Sequence, residues 1–403
     1  MPVHDNLSAP EVITNPYPYF HQLREEDPVH WNEWWGGWVL TRHDDVQASF
    51  QDRRLSADRM SPFLKGLAKE ASGDLHPSFR LFAKWMVFTD PPIHTRLRML
   101  VNKAFTPRRV EGLRARIQAI VDEMLDRLIP VGRMELIHDF AYLLPVTVIA
   151  ELLGVPAIDH ENIKNWSDEI TLFIFGAIGV PDRRQRAQRA MSELAGYLQE
   201  IITERRRKPQ DDLISALIAA QEQDDALSDE EIVATCSLVL FGGHETTTNL
   251  ISSSTHALLR NPEQMEKLRN DPVLITTAVE EFLRYDGPSK AMVRIALEDF
   301  ELRGKPIKKG QRLLLLQSAA NHDPERFENP DDLDIARSPN PHVAFGYGIH
   351  FCLGAPLARI ETAVTINTLL RRLPNLRLDT DPSNLEWQPQ IVSRALKALP
   401  VAF

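Results

Sequence analysis

One cysteine of this sequence, Cys352, lies in a segment whose composition suits chemistry better than packing. The segment Phe345–Gly354 reads Phe-Gly-Tyr-Gly-Ile-His-Phe-Cys-Leu-Gly, so three glycines surround the thiol. Glycine permits positive φ angles and lets the backbone approach another group closely. Pro356 suits the first turn of a helix over Leu357–Arg372, and the positive end of that helix dipole faces Cys352 and favours the thiolate.

The alternative for any lone cysteine is a small, buried apolar residue. Cys236, in the run Thr-Cys-Ser-Leu-Val-Leu, fits that description well. Cys352 does not fit it, because a core cysteine needs no glycines around it. A thiolate held in a glycine cage against a flat partner instead suits an axial ligand of haem iron.

A second unusual feature is a long predicted helix with a defect at its centre. Ser228–Glu231 forms a capping box and Arg260–Pro262 is a stop signal, with about 32 residues or ~48 Å of helix between them. Its middle, Phe241–Thr248, contains two adjacent glycines, each costing roughly 1 kcal/mol relative to alanine, and three threonines. This defect suggests that another group must fit against the helix backbone; a close crossing with a second helix is the alternative.

The polar residues at the centre of this helix allow two interpretations. His244 and Glu245 would begin a zinc-protease motif, but that motif needs a second histidine where the chain has Thr248, so the metal interpretation fails. Glu245 and Thr246 instead place an acid next to an alcohol. Heterolysis of an O–O bond requires protonation of the leaving oxygen, and a hydroxyl backed by a carboxylate is a positioned relay for that proton.

These segments together resemble those of the cytochrome P450 haem-thiolate monooxygenases. The cysteine loop matches the family signature Phe-x-x-Gly-x-x-x-Cys-x-Gly at every fixed position, and the long helix matches the motif Ala/Gly-Gly-x-Asp/Glu-Thr. The resemblance implies haem b as cofactor, Cys352 as the ligand of its iron, and Glu245 and Thr246 as the catalytic proton relay. It further implies cofactor contacts by Gly242, Phe345, Gly346, His350 and Gly354.

Basic residues elsewhere match positions that hold the haem propionates in this family. His94 and Arg98 lie four residues apart and hence on one face of a predicted helix, and Arg294 follows Pro288. The resemblance implies that all three bind propionates, which need basic hydrogen-bond donors when they are buried. For each residue alone, a solvated surface charge is the alternative.

Glu281 and Arg284 form a Glu-x-x-Arg motif, which on its own is usually a surface pair. The resemblance implies a structural role in which a second arginine near the cysteine loop joins them. Arg337 is the expected partner, and Arg326 is a less favoured candidate.

The resemblance also places a substrate above the haem, and apolar residues at several points of the chain are candidates to line its pocket. Plain core packing is the alternative for every one of them and is favoured for the aromatic residues. Because the set is apolar, we expect a hydrophobic organic substrate. The candidates are Val87, Phe88, Phe173, Leu240, Phe241, Ala291, Met292, Val293 and Ile391.

The elements that must position these residues are mainly helical. Apolar spacing is helical over most of Pro107–Arg284, a hairpin is predicted over residues 28–43, and strand signals return after Gly304. No Ser/Gly/Pro-rich linker divides the chain, so we predict one mainly α domain over residues 1–403 with small β-sheets. The resemblance implies the cytochrome P450 fold, a single domain shaped like a triangular prism. The helix-rich core is expected at about 80–285 and 355–373, and the β regions at about 28–43, 290–320 and 375–403.

Composition excludes several other classes of protein. The 403 residues carry a net charge of -10, which argues against nucleic acid as a partner. The longest apolar stretches, Ala141–Ala150 and Leu172–Val180, fall short of the ~18 residues that a membrane span needs, and no signal peptide is evident. The two cysteines lie far apart, which argues against a structural disulfide and favours a reducing cytoplasm.

We therefore expect a cytoplasmic, monomeric monooxygenase that hydroxylates or epoxidises a hydrophobic small molecule with dioxygen. Electrons are expected from NAD(P)H through a separate reductase and a ferredoxin or flavodoxin. A basic cluster between Arg96 and Arg116 is a candidate docking patch, although an ordinary charged surface explains it nearly as well. Two other functions stay open: a haem-thiolate enzyme that uses peroxide or inserts no oxygen, and a non-catalytic haem sensor.

Overall fold

The computed structural model describes residues 4–70, 77–174, 180–224 and 227–403 of the chain. Contacts divide the chain into two compact units. The single domain predicted from the absence of a linker stays a prediction. The first unit comprises Met1–Asp52, Val110–Pro145 and Glu245–Phe403, and the second comprises Arg53–Arg109 and Val146–His244.

Helices account for most of the residues that the structure describes, and for a larger share of the second unit than of the first. In chain order they are α1 (Pro10–Thr14), α2 (Tyr17–Glu26), α3 (His43–Gln51), α4 (Met60–Glu70), α5 (Pro77–Ala83), α6 (Ile93–Ala104), α7 (Pro107–Gly112), α8 (Arg114–Leu128), α9 (Leu143–Leu153), α10 (His160–Ile174), α11 (Arg183–Arg207), α12 (Leu213–Asp224), α13 (Asp229–Arg260), α14 (Pro262–Asn270), α15 (Ile275–Asp286), α16 (Gln317–Ala320) and α17 (Ala355–Arg372).

The strands are short, and three small sheets lie in the first unit. The strands that the largest sheet has in this unit are in the order β1, β2, β8, β5, with β2 and β8 parallel. A second sheet has the order β4, β10, β9, and β6 pairs with β7. The strands are β1 (Val29–Asn32), β2 (Gly37–Leu40), β3 (Leu55–Ser56), β4 (Arg133–Glu135), β5 (Met292–Ala296), β6 (Phe300–Leu302), β7 (Lys305–Ile307), β8 (Arg312–Leu315), β9 (Arg377–Leu378) and β10 (Pro400–Ala402).

The hairpin expected near the N-terminus is formed by β1 and β2. Asn32 pairs with Gly37 at its end, and the chain turns through Gly36, whose φ of +67° suits glycine. The Trp31 and Trp38 rings meet edge to face with centroids 5.3 Å apart. These tryptophans therefore pack the sheet.

Strand β4 differs from the sequence-based expectation, which treated its segment as helical. Gly132, with a φ of +74°, turns the chain immediately before it. Arg133–Glu135 then pair with Pro400–Ala402 at the other end of the sequence. The partner strand, and not a local pattern, makes this segment extended.

The core of the first unit fixes the helix that follows the cysteine loop. Helix α17 packs against both α8 and α15. Its residues Ile366 and Leu370 join Leu258 of α13 and Phe282 of α15 in one buried cluster. The start of α17, where the cysteine loop ends, is therefore attached to a rigid scaffold.

Aromatic side chains form the interior of the second unit around the first half of α13. The Trp85 ring lies 5.1 Å from that of Phe82 and 5.0 Å from that of Phe241. Its Nε1 donates a hydrogen bond to Ser237 Oγ at 2.9 Å. Phe173 of α10 packs on Phe82 at 5.6 Å. The side chains of α5 and α10 are thereby joined to α13.

Candidate active site

A backbone bridge closes the cysteine loop. The Cys352 amide donates to the carbonyl oxygen of Phe345 at 3.0 Å. Gly346 and Gly348 each have a φ of +71°, a conformation that L side chains rarely adopt. A Cβ at Gly348 would also lie 3.0 Å from the Gln51 side chain. The turn itself therefore requires the glycines.

The two cysteine thiols have opposite surroundings. Cys352 is exposed and lies three residues before the start of α17. Cys236 is fully buried in α13. Burial, with a smaller contribution from Asp212, raises the pKa of the Cys236 thiol to about 12. Of the two, Cys352 is therefore the thiol that can meet a group packed against its loop.

Four basic side chains are predicted to contact the cofactor. In the first unit, Arg294 is buried on β5 with its guanidinium carbon 5.3 Å from the centre of the Phe50 ring. His350 ends a short 3₁₀ turn and is half-buried. In the second unit, His94 and Arg98 lie one turn apart on α6, the former buried and the latter half-buried. Basic donors of this kind suit acidic groups, such as propionates, that are buried away from water.

Glu281 is the centre of a buried ion cluster. It accepts hydrogen bonds from Nε and Nη2 of Arg284, both at 2.8 Å, and from Nε of Arg337 at 3.1 and 3.2 Å. Asn340 Nδ2 at 3.0 Å and the Asp334 amide at 2.9 Å complete its partners. Both arginines also donate to backbone carbonyl oxygens of the segment that precedes the cysteine loop. The structure thus brings the three predicted scaffold residues together.

Helix α13 begins where its capping box predicts. The Glu231 amide donates to Ser228 Oγ at 3.2 Å, and the Ser228 amide donates to Glu231 Oε2 at 2.7 Å. Each side chain satisfies a backbone donor that the first turn of a helix leaves open. The helix then continues without a break through both central glycines.

One face of α13 is accessible at its centre. Residues 232–237 and 247–258 are all buried. Between them, accessible positions recur every three or four residues and so follow one side of the helix. Gly242 is exposed, and the half-buried positions on this side are Leu238, Val239, Gly243, Glu245 and Thr246.

The two adjacent glycines of α13 have different surroundings. A Cβ at Gly243 would lie 2.9 Å from two side-chain carbons of Ile149, on α9, so this glycine permits a close helix contact. Within the described residues, no atom outside the local helix backbone lies within 4 Å of a Cβ at Gly242. Of the pair, Gly242 is therefore the glycine beside which another group fits.

The acid of the predicted relay has a neighbour on its own helix. Asn249 Nδ2 donates to Glu245 Oε1 at 3.3 Å, one turn further on. His244 is fully buried, with Nδ1 3.2 Å from Ser167 Oγ and Nε2 3.9 Å from an Asp168 oxygen, both on α10. His244 therefore serves the α10 contact, whereas Glu245 lies on the accessible face.

The pocket candidates of the second unit are mostly packed among aromatic rings. Phe88, Leu240 and Phe241 are buried, and Phe88 stacks on the Trp85 ring at 5.9 Å. Val87 and Phe173 are half-buried. The roles of these residues in substrate binding stay predictions.

Most pocket candidates of the first unit face a scaffold cluster. Ala291, Val293 and Ile391 pack with apolar residues of the N-terminal segment, among them Leu7. Met292 alternates with these neighbours along β5 and so lies on the strand face that carries Arg294. Of these four residues, Met292 is the one whose placement favours the predicted site.

Sequence reasoning missed two accessible apolar residues of α13. Leu238 and Val239 lie four and three positions before Gly242, on the same side of the helix. Counting back one turn from the glycine defect would have identified them. Leu240, which the resemblance suggested instead, is buried.

Three side chains of the kind that bind metal ions, His21, His322 and Asp331, lie together in the first unit and bind one another. Asp331 Oδ1 lies 2.9 Å from both His21 Nε2 and His322 Nδ1. Arg24 contacts His21 Nδ1, which must therefore accept, so the Nε2 of His21 carries its proton toward Asp331. His322 Nε2 is 2.8 Å from the Tyr285 carbonyl oxygen. The cluster is a hydrogen-bonded brace.

The donor set fits haem with a thiolate ligand. Within the first unit it includes an exposed thiol in a glycine turn and a buried arginine on β5 that suits a propionate. Within the second unit it includes basic side chains on α6 and space for a group beside Gly242.

Comparison with known proteins identifies the family. Residues 75–399 match the Cytochrome P450 family, and the chain belongs to it. It is 40% identical to Cytochrome P450 CYP107DY1 of Priestia megaterium, over 99% of this chain and 98% of the relative. It is 41% identical to Cytochrome P450 monooxygenase PikC of Streptomyces venezuelae, over 97% of this chain and 92% of the relative. The solved structure of P450BioI in complex with hexadec-9Z-enoic acid ligated acyl carrier protein matches with a TM-score of 0.90 and 38% identity, covering 98% of this chain and 100% of that one.

The class of enzyme follows from these relatives. The protein is a cytochrome P450 monooxygenase with the cytochrome P450 fold, and its cofactor is haem b. Among the described residues, none of the helices combines the length and apolar character of a membrane span.

Proposed function

We propose that this enzyme hydroxylates or epoxidises a hydrophobic small organic molecule. Dioxygen is the oxidant, and electrons come from NAD(P)H through a separate reductase and a ferredoxin or flavodoxin in the cytoplasm. Support comes from the apolar character of the accessible α13 positions Leu238 and Val239, and of Met292 on β5. The relative whose solved structure carries a sixteen-carbon acyl chain supports the same class of substrate.

The observation that carries this proposal is the exposed thiol of Cys352 in its glycine turn. Haem bound there supplies dioxygen activation, which a thiolate ligand promotes by donating electron density toward O–O cleavage. The start of α17 beside Cys352 favours the anionic form of the sulfur. The basic residues that we propose to hold the propionates are Arg294, His350, His94 and Arg98.

Glu245 and Thr246 are proposed to deliver protons. The Thr246 hydroxyl would donate a proton to the reacting oxygen atom, and the Glu245 carboxyl would replace the proton that Thr246 gives up. Both residues are half-buried. Such a position allows them to receive protons from solvent without opening the site fully to water. Gly242, one turn earlier, leaves space beside the helix backbone.

The spectrum of the reduced protein with carbon monoxide tests the ligand. We expect the wild type to show the thiolate-type band, and Cys352→His to bind haem but lose both that band and oxygenation. Cys236→Ser is the matched control, because that thiol is buried and inaccessible to haem. Loss of the band in Cys236→Ser but not in Cys352→His would overturn the assignment.

Product analysis under isotopically labelled dioxygen tests the reaction. A panel of apolar compounds is first screened for a low-spin to high-spin change, and each hit is then turned over with a surrogate reductase and ferredoxin. Labelled oxygen in the product supports monooxygenation. Product that forms only with added peroxide, or without added oxygen, would instead establish the alternative haem-thiolate chemistry.

The Thr246→Ala variant tests the relay. Substrate binding should be unchanged, whereas the fraction of electrons released as hydrogen peroxide should rise. Normal coupling of electrons to product in this variant would remove Thr246 from the mechanism.

A further inference from the structure

Glu280, the residue before the buried Glu281, forms a second ion cluster beside the cysteine loop. The guanidinium of Arg359, on α17, donates two hydrogen bonds to its carboxylate, from Nε to Oε1 at 2.6 Å and from Nη2 to Oε2 at 2.8 Å. His342 adds Nε2 to Oε2 at 3.1 Å. Bidentate contacts of this kind fix the plane of a guanidinium as well as its position.

The proton of His342 has a defined place. The Ala344 amide donates to His342 Nδ1 at 3.2 Å, so Nδ1 must be an acceptor. Nε2 therefore carries the proton and donates it to Glu280. The His342 side chain is only 5% exposed, which keeps water from competing for these contacts.

Glu280 is ionised at neutral pH. Burial alone would favour the neutral acid, but the hydrogen bonds from Arg359 and His342 outweigh it and lower the pKa of Glu280 to about 2. Glu280 thus stays an anion that holds both partners.

The cluster ends on the aromatic ring of the cysteine signature. The guanidinium carbon of Arg359 lies 4.7 Å from the Phe345 ring centre, and the His342 ring lies 6.2 Å from it. A cation over an aromatic face attracts the ring and limits its rotation. The carbonyl of Phe345 in turn accepts from the Cys352 amide. Arg359 and His342 thus contact the ring of Phe345, while the Cys352 amide binds its carbonyl oxygen.

We propose that Glu280, acting through Arg359 and His342, is a positioning residue that fixes the Phe345 ring and, through it, the loop that presents the Cys352 sulfur to haem. The inference rests on the proposed haem-thiolate function and extends it, because the Glu281 cluster reaches the segment before the loop, whereas the Glu280 cluster reaches the loop itself. No proton transfer or bond change is assigned to these residues. Their effect is on the geometry of the ligand and hence on the haem reduction potential.

The reduction potential separates positioning from simple electrostatics. Glu280→Gln removes a negative charge and Arg359→Gln a positive one, so field effects alone would raise the potential in the first variant and lower it in the second. Positioning predicts shifts of the same sign, each about threefold or more in the one-electron equilibrium (about 28 mV at 59 mV per tenfold). Arg359→Lys, which keeps the charge but not the planar fork, should shift as Arg359→Gln does.

A double-mutant cycle with Phe345→Leu tests the route. If Arg359 acts through the ring, Arg359→Gln should change the potential in the wild type and leave it unchanged in the Phe345→Leu background. Arg372→Gln is the matched control, since it removes a guanidinium from the same helix about 20 Å further along, where its partners are Asp122 and Asp126. It should keep the wild-type potential.

Each outcome bears on the inference. Shifts of opposite sign, an Arg359→Lys variant with the wild-type potential, or additive effects of Arg359→Gln and Phe345→Leu would each overturn it while leaving the proposed function standing. A wild-type protein without the thiolate-type carbon monoxide spectrum would overturn the proposed function, and this inference with it. The haem content of every variant is measured, so that a folding defect is recognised. If a variant does not bind haem, Arg359→Lys is used in its place.

Discussion

Glu361, in the middle of α17, is a buried acid for which we predict an unusual pH dependence of stability. It is 1% exposed, and neither carboxyl oxygen has a hydrogen-bond partner in the part of the chain that the structure describes. Thr365, one turn later, has a fully buried hydroxyl oxygen in the same condition. Desolvation raises the pKa of Glu361 well above its ordinary value, because an ionised carboxylate would have to leave water without compensation.

The sign of the effect follows from proton counting. Between the ordinary carboxyl pKa of the unfolded chain and the raised pKa of the folded chain, the native state holds one proton more than the unfolded state. The free energy of unfolding is therefore highest, as far as Glu361 is concerned, below the pKa of the unfolded chain. It falls by about 1.4 kcal/mol per pH unit as the pH rises from that value to the pKa of the folded chain. The loss continues across the pH range between these two pKa values, and each pH unit of it is a sizeable share of a typical unfolding free energy of roughly 5–15 kcal/mol.

Glu361→Gln isolates this effect, since glutamine keeps the shape and cannot ionise. Urea unfolding of the haem-loaded protein, followed by circular dichroism at pH 6, 7 and 8, should show the variant gaining stability over the wild type at each step. Thr365→Val is the control: it removes a buried polar atom that does not titrate, so its profile should run parallel to that of the wild type and about 1 kcal/mol higher. Parallel profiles for Glu361→Gln and wild type would refute the reasoning.

Three further predictions concern Lys290, the two central glycines of α13, and Glu281. Burial, and secondarily a nearby arginine, lowers the pKa of Lys290 to about 7. Since the unfolded chain keeps that proton to much higher pH, Lys290→Met should stabilise most at pH 6, with the gain shrinking by about 1.4 kcal/mol per unit above pH 7 in urea titrations. Gly243→Ala should destabilise by about 1–3 kcal/mol through its clash with Ile149, whereas Gly242→Ala should stabilise the helix by up to about 1 kcal/mol; equal effects in thermal unfolding would contradict this. Glu281→Gln should cost about 3–5 kcal/mol, because it breaks a buried ion cluster, and unchanged thermal unfolding would show that the cluster is dispensable.

The parts of the fold that could be predicted are those with local signals. Helix α13 begins and ends as expected because Ser228 and Glu231 cap each other and Pro262 cannot continue a helix. The glycine turn at Cys352 was equally visible, since positive φ angles leave glycine as the common choice. Strand β4 could not be predicted, because its only cause is a partner strand at the far end of the sequence.

The site was harder to predict wherever one residue type serves two purposes. A pocket wall and a core are both apolar, so Ala291 and Leu238 look alike in the sequence, although the first packs into the scaffold and the second lies on the accessible face of α13. The same holds for Gly242 and Gly243, which the sequence presents as one defect. A Cβ at one meets Ile149, while a Cβ at the other meets nothing near it among the described residues beyond the local helix backbone. Only the neighbours that tertiary packing supplies assign one glycine to a helix contact and leave space beside the other.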